Sequence, residues 1–236
     1  SSQPQQRFRG KGTYLISGGS GGFSLEIART LVADGARSLV LVSRSGPRDS
    51  AASAVIESLR QSGAKVIEAR GDVTRLTDME AIVAMIGREL DPLVGVVHGA
   101  MVLDDEFLSD LSPARFRAAL DVKMLGAWNL HQATQGCPLE DFICFSSFSA
   151  VIGAPKQANY NAGNYFLDAL AKYRRAHGQP ALTINWGALR GAGFVERNQK
   201  TAEYLDRVGL QGLPLEEALL SFREAVLYDE AQFGIA

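Results

Sequence analysis

The feature that most limits what this chain can become lies at its start. An apolar run at 13–17 passes directly into Gly18-Gly19-Ser20-Gly21-Gly22-Phe23-Ser24, and Leu25, Ile27, Ala28 and Leu31 follow on a helical period. Strand, glycine-rich turn and helix then set a rhythm that the rest of the chain keeps. Short runs rich in Val, Ile and Leu at 38–42, 65–69, 94–98, 141–147, 181–186 and 232–236 alternate with segments of helical period at 22–34, 49–61, 78–90, 113–134 and 159–177. Nearly continuous apolar strands separated by helices predict an α/β fold, a parallel sheet of about seven strands with helices on both faces. The 236 residues suffice for one such domain with a full core. It is expected to occupy 13–236, behind a polar linker at 1–12 that carries Arg7, Arg9 and Lys11. Segment 186–213 breaks the rhythm, Gly-rich at Gly187, Gly191 and Gly193 and then polar. A long excursion from the carboxyl edge of a sheet predicts a lid at about 187–213.

Charge and composition remove several classes of function. A formal net charge of −2 speaks against nucleic acid or an anionic membrane as the main partner, because both demand a basic surplus. The longest weakly polar run, 92–103, contains His98 and is too short to span a bilayer. No secretory segment opens the chain. Cys137 and Cys144 stand in no metal-ligand spacing and are expected to be reduced core thiols of a cytoplasmic protein.

The glycine turn gains meaning from its setting. Between a strand and a helix, glycines allow a tight turn and close approach of backbone to a pyrophosphate, whose charge meets the helix N-terminus. Gly19, Ser20, Gly21, Gly22 and Phe23 are therefore candidate dinucleotide ligands, in a doubly wound sheet of Rossmann type. Ser24 replaces the third glycine of the pattern, with a modest effect on packing expected. The second strand ends in Ser43-Arg44-Ser45, where an NAD site would carry Asp or Glu. A guanidinium there suits the 2′-phosphate of NADPH. Asp72 and Val73 should border the adenine ring, and His98, Gly99 and Ala100 the nicotinamide ribose.

Reducing a carbonyl with hydride requires a proton donor for the developing alkoxide and further donors to hold the oxygen. Ser147 closes the fifth strand and Tyr160 opens the helix beyond it. Asn164 follows Tyr160 by four residues and so shares its helical face. In these residues the chain resembles the short-chain dehydrogenase/reductase superfamily, with one departure. Most members carry Lys four residues after the active Tyr. Here Asn stands there, and the lysine is Lys123, in Leu120-Asp121-Val122-Lys123-Met124-Leu125-Gly126 on the preceding long helix. That exchange resembles the catalytic half of the ketoreductase domains of modular polyketide synthases and animal-type fatty-acid synthases. The likeness runs from about Gly10 to Ala236, through Thr13-Tyr14-Leu15-Ile16-Ser17, Leu41-Val42-Ser43-Arg44 and Asn185-Trp186-Gly187.

The resemblance implies NADPH-dependent reduction of a β-ketoacyl thioester on an acyl carrier protein to the β-hydroxyacyl thioester. In it Tyr160 donates the proton and Ser147 bonds the same oxygen. Lys123 contacts the nicotinamide ribose and lowers the phenol pKa, and Asn164 holds the proton relay. Leu103-Asp104-Asp105 resembles the motif of ketoreductases that give a D-configured hydroxyl. Ile152 stands where the opposite class has Trp, and Ala162 where epimerising members have Pro. The family also implies a nucleotide-free structural half, neighbouring synthase domains, and a chain that is a piece of a larger polypeptide. Two further readings stay open: a free-standing reductase on a small ketone, and a reduction-silent scaffold domain for which Ser24 is the support.

Overall fold

The computed structural model describes Phe8 and residues 10–190 and 212–235. Seven strands build one sheet: β1 (Thr13–Ser17), β2 (Ser38–Ser43), β3 (Lys65–Arg70), β4 (Leu93–His98), β5 (Asp141–Ser147), β6 (Leu182–Trp186) and β9 (Gln232–Ile235). Their order is β3-β2-β1-β4-β5-β6-β9, and each neighbouring pair is parallel. This is the doubly wound Rossmann-type arrangement, with its switch point between β1 and β4. Every sheet strand lies within a residue or two of its expected bounds.

Alternation along the strands divides the core between two faces. Ile16, Leu39 and Leu41 point to one side and Leu15, Val40 and Val42 to the other. The first face is covered by α1 (Gly22–Ala33), α2 (Ser50–Gln61) and α7 (Leu215–Ala225); the second by α3 (Leu76–Glu89), α4 (Pro113–Ala133) and α6 (Ala158–Ala176). Side-chain caps start two of these helices within a residue of their expected bounds. The Asp49 carboxylate caps α2 by accepting from Ala52 N at 2.8 Å, and Ser112 caps α4, with Pro113 in its first turn.

Three features have no counterpart in the sequence-based expectations. A short helix, α5 (Ser149–Ile152), follows β5. Helix α7 buries Ala218, Phe222 and Ala225 against the first face, and the Arg223 guanidinium donates to both carboxylate oxygens of Asp34 at 2.6 and 3.0 Å. Phe8, inside the expected linker, is only 2% exposed; its ring meets Tyr14 edge-on and stacks on Phe222. Of the expected lid, two-residue strands β7 (Leu189–Arg190) and β8 (Leu213–Pro214) pair with each other, and 191–211 lie outside the described residues. Among the described residues no helix is long and apolar enough to cross a membrane.

Candidate active site

A cavity of about 820 Å³ opens at the carboxyl ends of the strands, at the switch point. Arg44 and Arg48 line one end; Ser147 and Tyr160 line the other. The glycine turn lies between them. Gly18 has φ +69°, and a Cβ there would come within 2.9 Å of Ala100 Cα, so the turn passes too close to the β4 loop for any side chain. Gly21 caps α1 without a side-chain hydrogen bond, and the first turn holds no acid, so the helix N-terminus is free to meet an anion. An uncapped helix end, a cradle bare of Cβ atoms and two guanidiniums together fit a phosphate-bearing dinucleotide.

The expected cofactor residues divide into two sets. Ser20, Gly21, Gly22, Phe23, Ser43, Arg44, Asp72, Val73, Gly99, Ala100, Lys123 and Tyr160 line the cavity. Gly19 does not: a Cβ there would press within 2.8 Å of Ile16 O, and its place is in packing the turn onto the sheet. His98 does not either. It is fully buried beneath the loop, its Nδ1 is 2.7 Å from Ser17 Oγ, and burial pushes its pKa down to about 3. Ser43 Oγ takes hydrogen bonds from Ser20 Oγ at 2.8 Å and Gly46 N at 2.9 Å, which shapes the turn that presents Arg44. Burial pushes the Asp72 carboxyl up. Hydrogen bonds from Thr74, with the charges of Arg44 and Arg75, more than offset that and hold it below the ordinary carboxylate value. Arg48 was not among the expected residues; its backbone N–H bonds Ser20 O at 3.2 Å and its side chain lies over Gly21. Four residues beyond Arg44, it belongs to the β2–α2 loop that the reading of Arg44 had already placed at the cavity.

Ser24 and Gly99 explain each other. A Cβ on Gly99 would fall 2.1 Å from Ser24 Oγ. The missing glycine of the turn is thus answered by a glycine across the cleft, and α1 keeps its close seat on the sheet.

At the inner end, Lys123, Ser147, Tyr160 and Asn164 converge from three elements. Lys123 is 1% exposed on α4; its ammonium donates to Phe145 O at 2.6 Å and stands 5.8 Å from the centroid of the Tyr160 ring. The close approach of α4 and α6 depends on Gly163, whose Cβ would meet Lys123 Cβ at 2.8 Å. Asn164, fully buried, donates from Nδ2 to Tyr160 O at 3.0 Å and so steadies the first turn of α6. Ser147 Oγ accepts from Ser149 N at 3.2 Å and lies near Ser149 Oγ at 2.9 Å.

The electrostatics correct one expectation. The Tyr160 phenol lies above its ordinary value, not below it. Burial raises the phenol above its ordinary value, the Asp105 carboxylate adds to the rise, and hydrogen bonds from Asn164 and Ser147 only partly oppose it. Burial likewise brings Lys123 down to about 8. Tyr160 therefore holds its proton firmly at neutral pH, as a donor must.

Of the stereocontrol residues, Leu103 lines the cavity and the two aspartates do not. Asp104 is ion-paired with Arg115, which holds its carboxyl below the ordinary value. Asp105 Oδ2 accepts from Gln157 Nε2 at 3.0 Å. Ile152 lines the cavity and is 69% exposed. The apolar wall of Phe145, Phe148 and Trp186, against which Phe23 packs, was also unforeseen. It could have been found by counting the aromatic residues at the ends of β5 and β6.

A dinucleotide cradle at the switch point, with Ser and Tyr at its inner end, defines a member of the short-chain dehydrogenase/reductase superfamily. More narrowly, residues 12–191 match the family described as the KR domain, and the chain belongs to that family, the ketoreductase domains of polyketide synthases. It is 40% identical over 225 residues to a hybrid PKS-NRPS synthetase of Aspergillus niger, covering 95% of this chain and 6% of that protein. Over 222 residues it is 39% identical to the mycoketide-CoA synthase of Mycobacterium tuberculosis, with coverages of 93% and 5%. Among solved structures, A-type ketoreductases from a modular polyketide synthase superpose with a TM-score of 0.89 at 32% identity, over 100% of this chain and 48% of that one. The first ketoreductase of the tylosin PKS gives 0.85 at 35% identity, over 97% and 49%. The chain thus spans a small part of the synthases it matches and about half of the solved ketoreductases.

Proposed function

We propose that this chain is an NADPH-dependent β-ketoacyl reductase. Its substrate is a β-ketoacyl thioester on an acyl carrier protein, and its product is the D-configured β-hydroxyacyl thioester, without epimerisation. The observation that carries the reading is the convergence of Lys123, Ser147 and Tyr160, with Asn164 behind them, at the inner end of a cavity whose outer end bears Arg44.

The chemistry assigned to each residue follows from its surroundings. Arg44 and the uncapped turn of α1 would bind the two phosphate regions, and Val73 and Ala100 the apolar faces between them. Bound NADPH supplies the hydride for the carbonyl carbon. Tyr160, held protonated by burial, passes its proton to the carbonyl oxygen as negative charge grows there, while Ser147 donates a second hydrogen bond to the same atom. Lys123 keeps positive charge close to the phenol so that the tyrosinate left behind can be tolerated and reprotonated. Phe145, Phe148 and Trp186 keep that end dry, which strengthens each of these interactions. Leu103 on the cavity wall, Ile152 in place of a guiding Trp, and Ala162 support the stereochemical assignment. The long synthases to which the chain is similar support its placement beside other synthase domains, a structural ketoreductase half among them.

The test is an assay of the protein with a panel of carrier-bound β-ketoacyl thioesters, followed by chiral analysis of the product. Tyr160→Phe should lower turnover by about a hundredfold or more, with NADPH binding by fluorescence titration within about twofold of the parent. Near-normal turnover in that variant overturns the proton-donor role. A predominantly L-configured product overturns the stereochemistry alone.

A further inference from the structure

We propose that Lys156 is a positioning residue that fastens the two walls of the substrate mouth together and thereby sets the face of the ketone presented to Tyr160. The inference rests on the ketoreductase reading above. Among the described residues Lys156 is the one non-glycine residue with positive φ, at 64°, and it stands four positions before Tyr160. A residue with a Cβ is uncommon in left-handed backbone, and lysine has no short polar group that would ease it locally. The compensation lies in what that conformation lets it reach. The Lys156 carbonyl accepts from Glu106 N at 2.8 Å. Its ammonium stands 4.5 Å from the centroid of the Phe107 ring and 4.0 Å from Glu106 Oε1.

The neighbours on both sides continue the seam. Gln157 Nε2 donates to Asp105 Oδ2 and Asn159 Nδ2 to Asp104 O, each at 3.0 Å. Residues 104–107, after β4, are thus bound to residues 156–159, ahead of Tyr160, by a backbone bond, two side-chain bonds, an ion pair and a cation over a ring. The cavity is lined by Leu103, immediately before the first segment, and by Pro155 and Gln157 at the start of the second. These contacts close the gap between the two segments. An acyl chain cannot pass between segments joined in this way, so the seam limits the poses in which the ketone reaches Tyr160. Phe107, 53% exposed, is held by the ammonium where it would otherwise swing free.

The experiment uses the full chain with Lys156→Gly, Lys156→Met and Lys156→Arg. Glycine adopts the positive φ without strain, so it removes the side chain while sparing the backbone; methionine keeps the stem and removes the charge; arginine keeps the cation. Two readouts are needed: hydrogen exchange of the Glu106 amide, and the configuration of the product from a carrier-bound β-ketoacyl thioester. In the glycine and methionine variants the Glu106 amide should exchange about tenfold faster and the minor enantiomer should rise by about tenfold, as loss of one exposed ion pair and one cation–π contact implies. The substrate KM should change more than kcat, NADPH affinity should stay within about twofold, and arginine should restore the parent values. Unchanged exchange overturns the latch. Faster exchange with an unchanged enantiomer ratio overturns its positioning role. A parent protein that turns over no β-ketoacyl thioester overturns the ketoreductase reading instead, and the exchange measurement still decides whether Lys156 holds the seam.

Discussion

Arg44 occupies the place where an acidic side chain would bind the ribose hydroxyls of NAD, and Arg48 lines the same end of the cavity. Loss of one charge-assisted phosphate contact corresponds to about tenfold or more in affinity. On the proposed NADPH assignment, Arg44→Ala should remove that much of a preference for NADPH over NADH, measured by titration of both cofactors, and Arg48→Ala should weaken NADPH binding further in the double variant. His98 makes a prediction about stability. Its folded pKa is near 3, whereas an unfolded chain would carry it near 6.5. Between those values the unfolded state binds a proton that the native state refuses, so stability rises with pH across that window and is lost as the pH falls through it. Urea midpoints at pH 4, 5.5 and 7 should show this slope, and His98→Gln should flatten it relative to the parent.

Elements were legible in the sequence to unequal degrees, and the reason is burial. Strands buried on both faces appear as unbroken apolar runs, so β1 and β5 have the expected bounds. Helices α2 and α4 begin within a residue of their expected bounds, each at a side chain that caps it. Helix α7 was missed although Ala218, Phe222 and Ala225 form a buried stripe, because no apolar run of ordinary strand length precedes it in the sequence. The four residues at the inner end of the site were legible from identity and spacing; the latch through Lys156 was not, since a backbone φ leaves no mark on a lysine. Packing between elements was legible least of all. Ser24 looked like a flaw in the glycine turn, and only the approach of α1 to the β4 loop shows Gly99 making room for it. Gly99→Ala alone should destabilise the protein by about 1–3 kcal/mol through overpacking. Adding Ser24→Gly should recover much of that loss, and a double-mutant cycle by denaturant unfolding would measure the coupling.

At the scale of the whole molecule, the sheet separates duties. Both core faces and the amino ends of the strands serve stability, while the carboxyl ends carry the cavity, its two arginines and the Tyr160 end. The core nevertheless draws on residues far from that cavity. Phe8 lies between Tyr14 and Phe222, so Phe8→Ala should lower stability by about 3–5 kcal/mol, read as a lower melting temperature with NADPH affinity little changed. Phe222 and β9 lie beyond the 12–191 stretch that matches the KR family, as does Phe8 on the other side. The stretch that matches the KR family is therefore shorter than the stretch whose side chains fill the core. When such domains are exchanged between synthases, a junction cut at the edges of the shared stretch would leave one face of the sheet open, and only a transplant running from before Phe8 to beyond Ile235 carries its own interior with it.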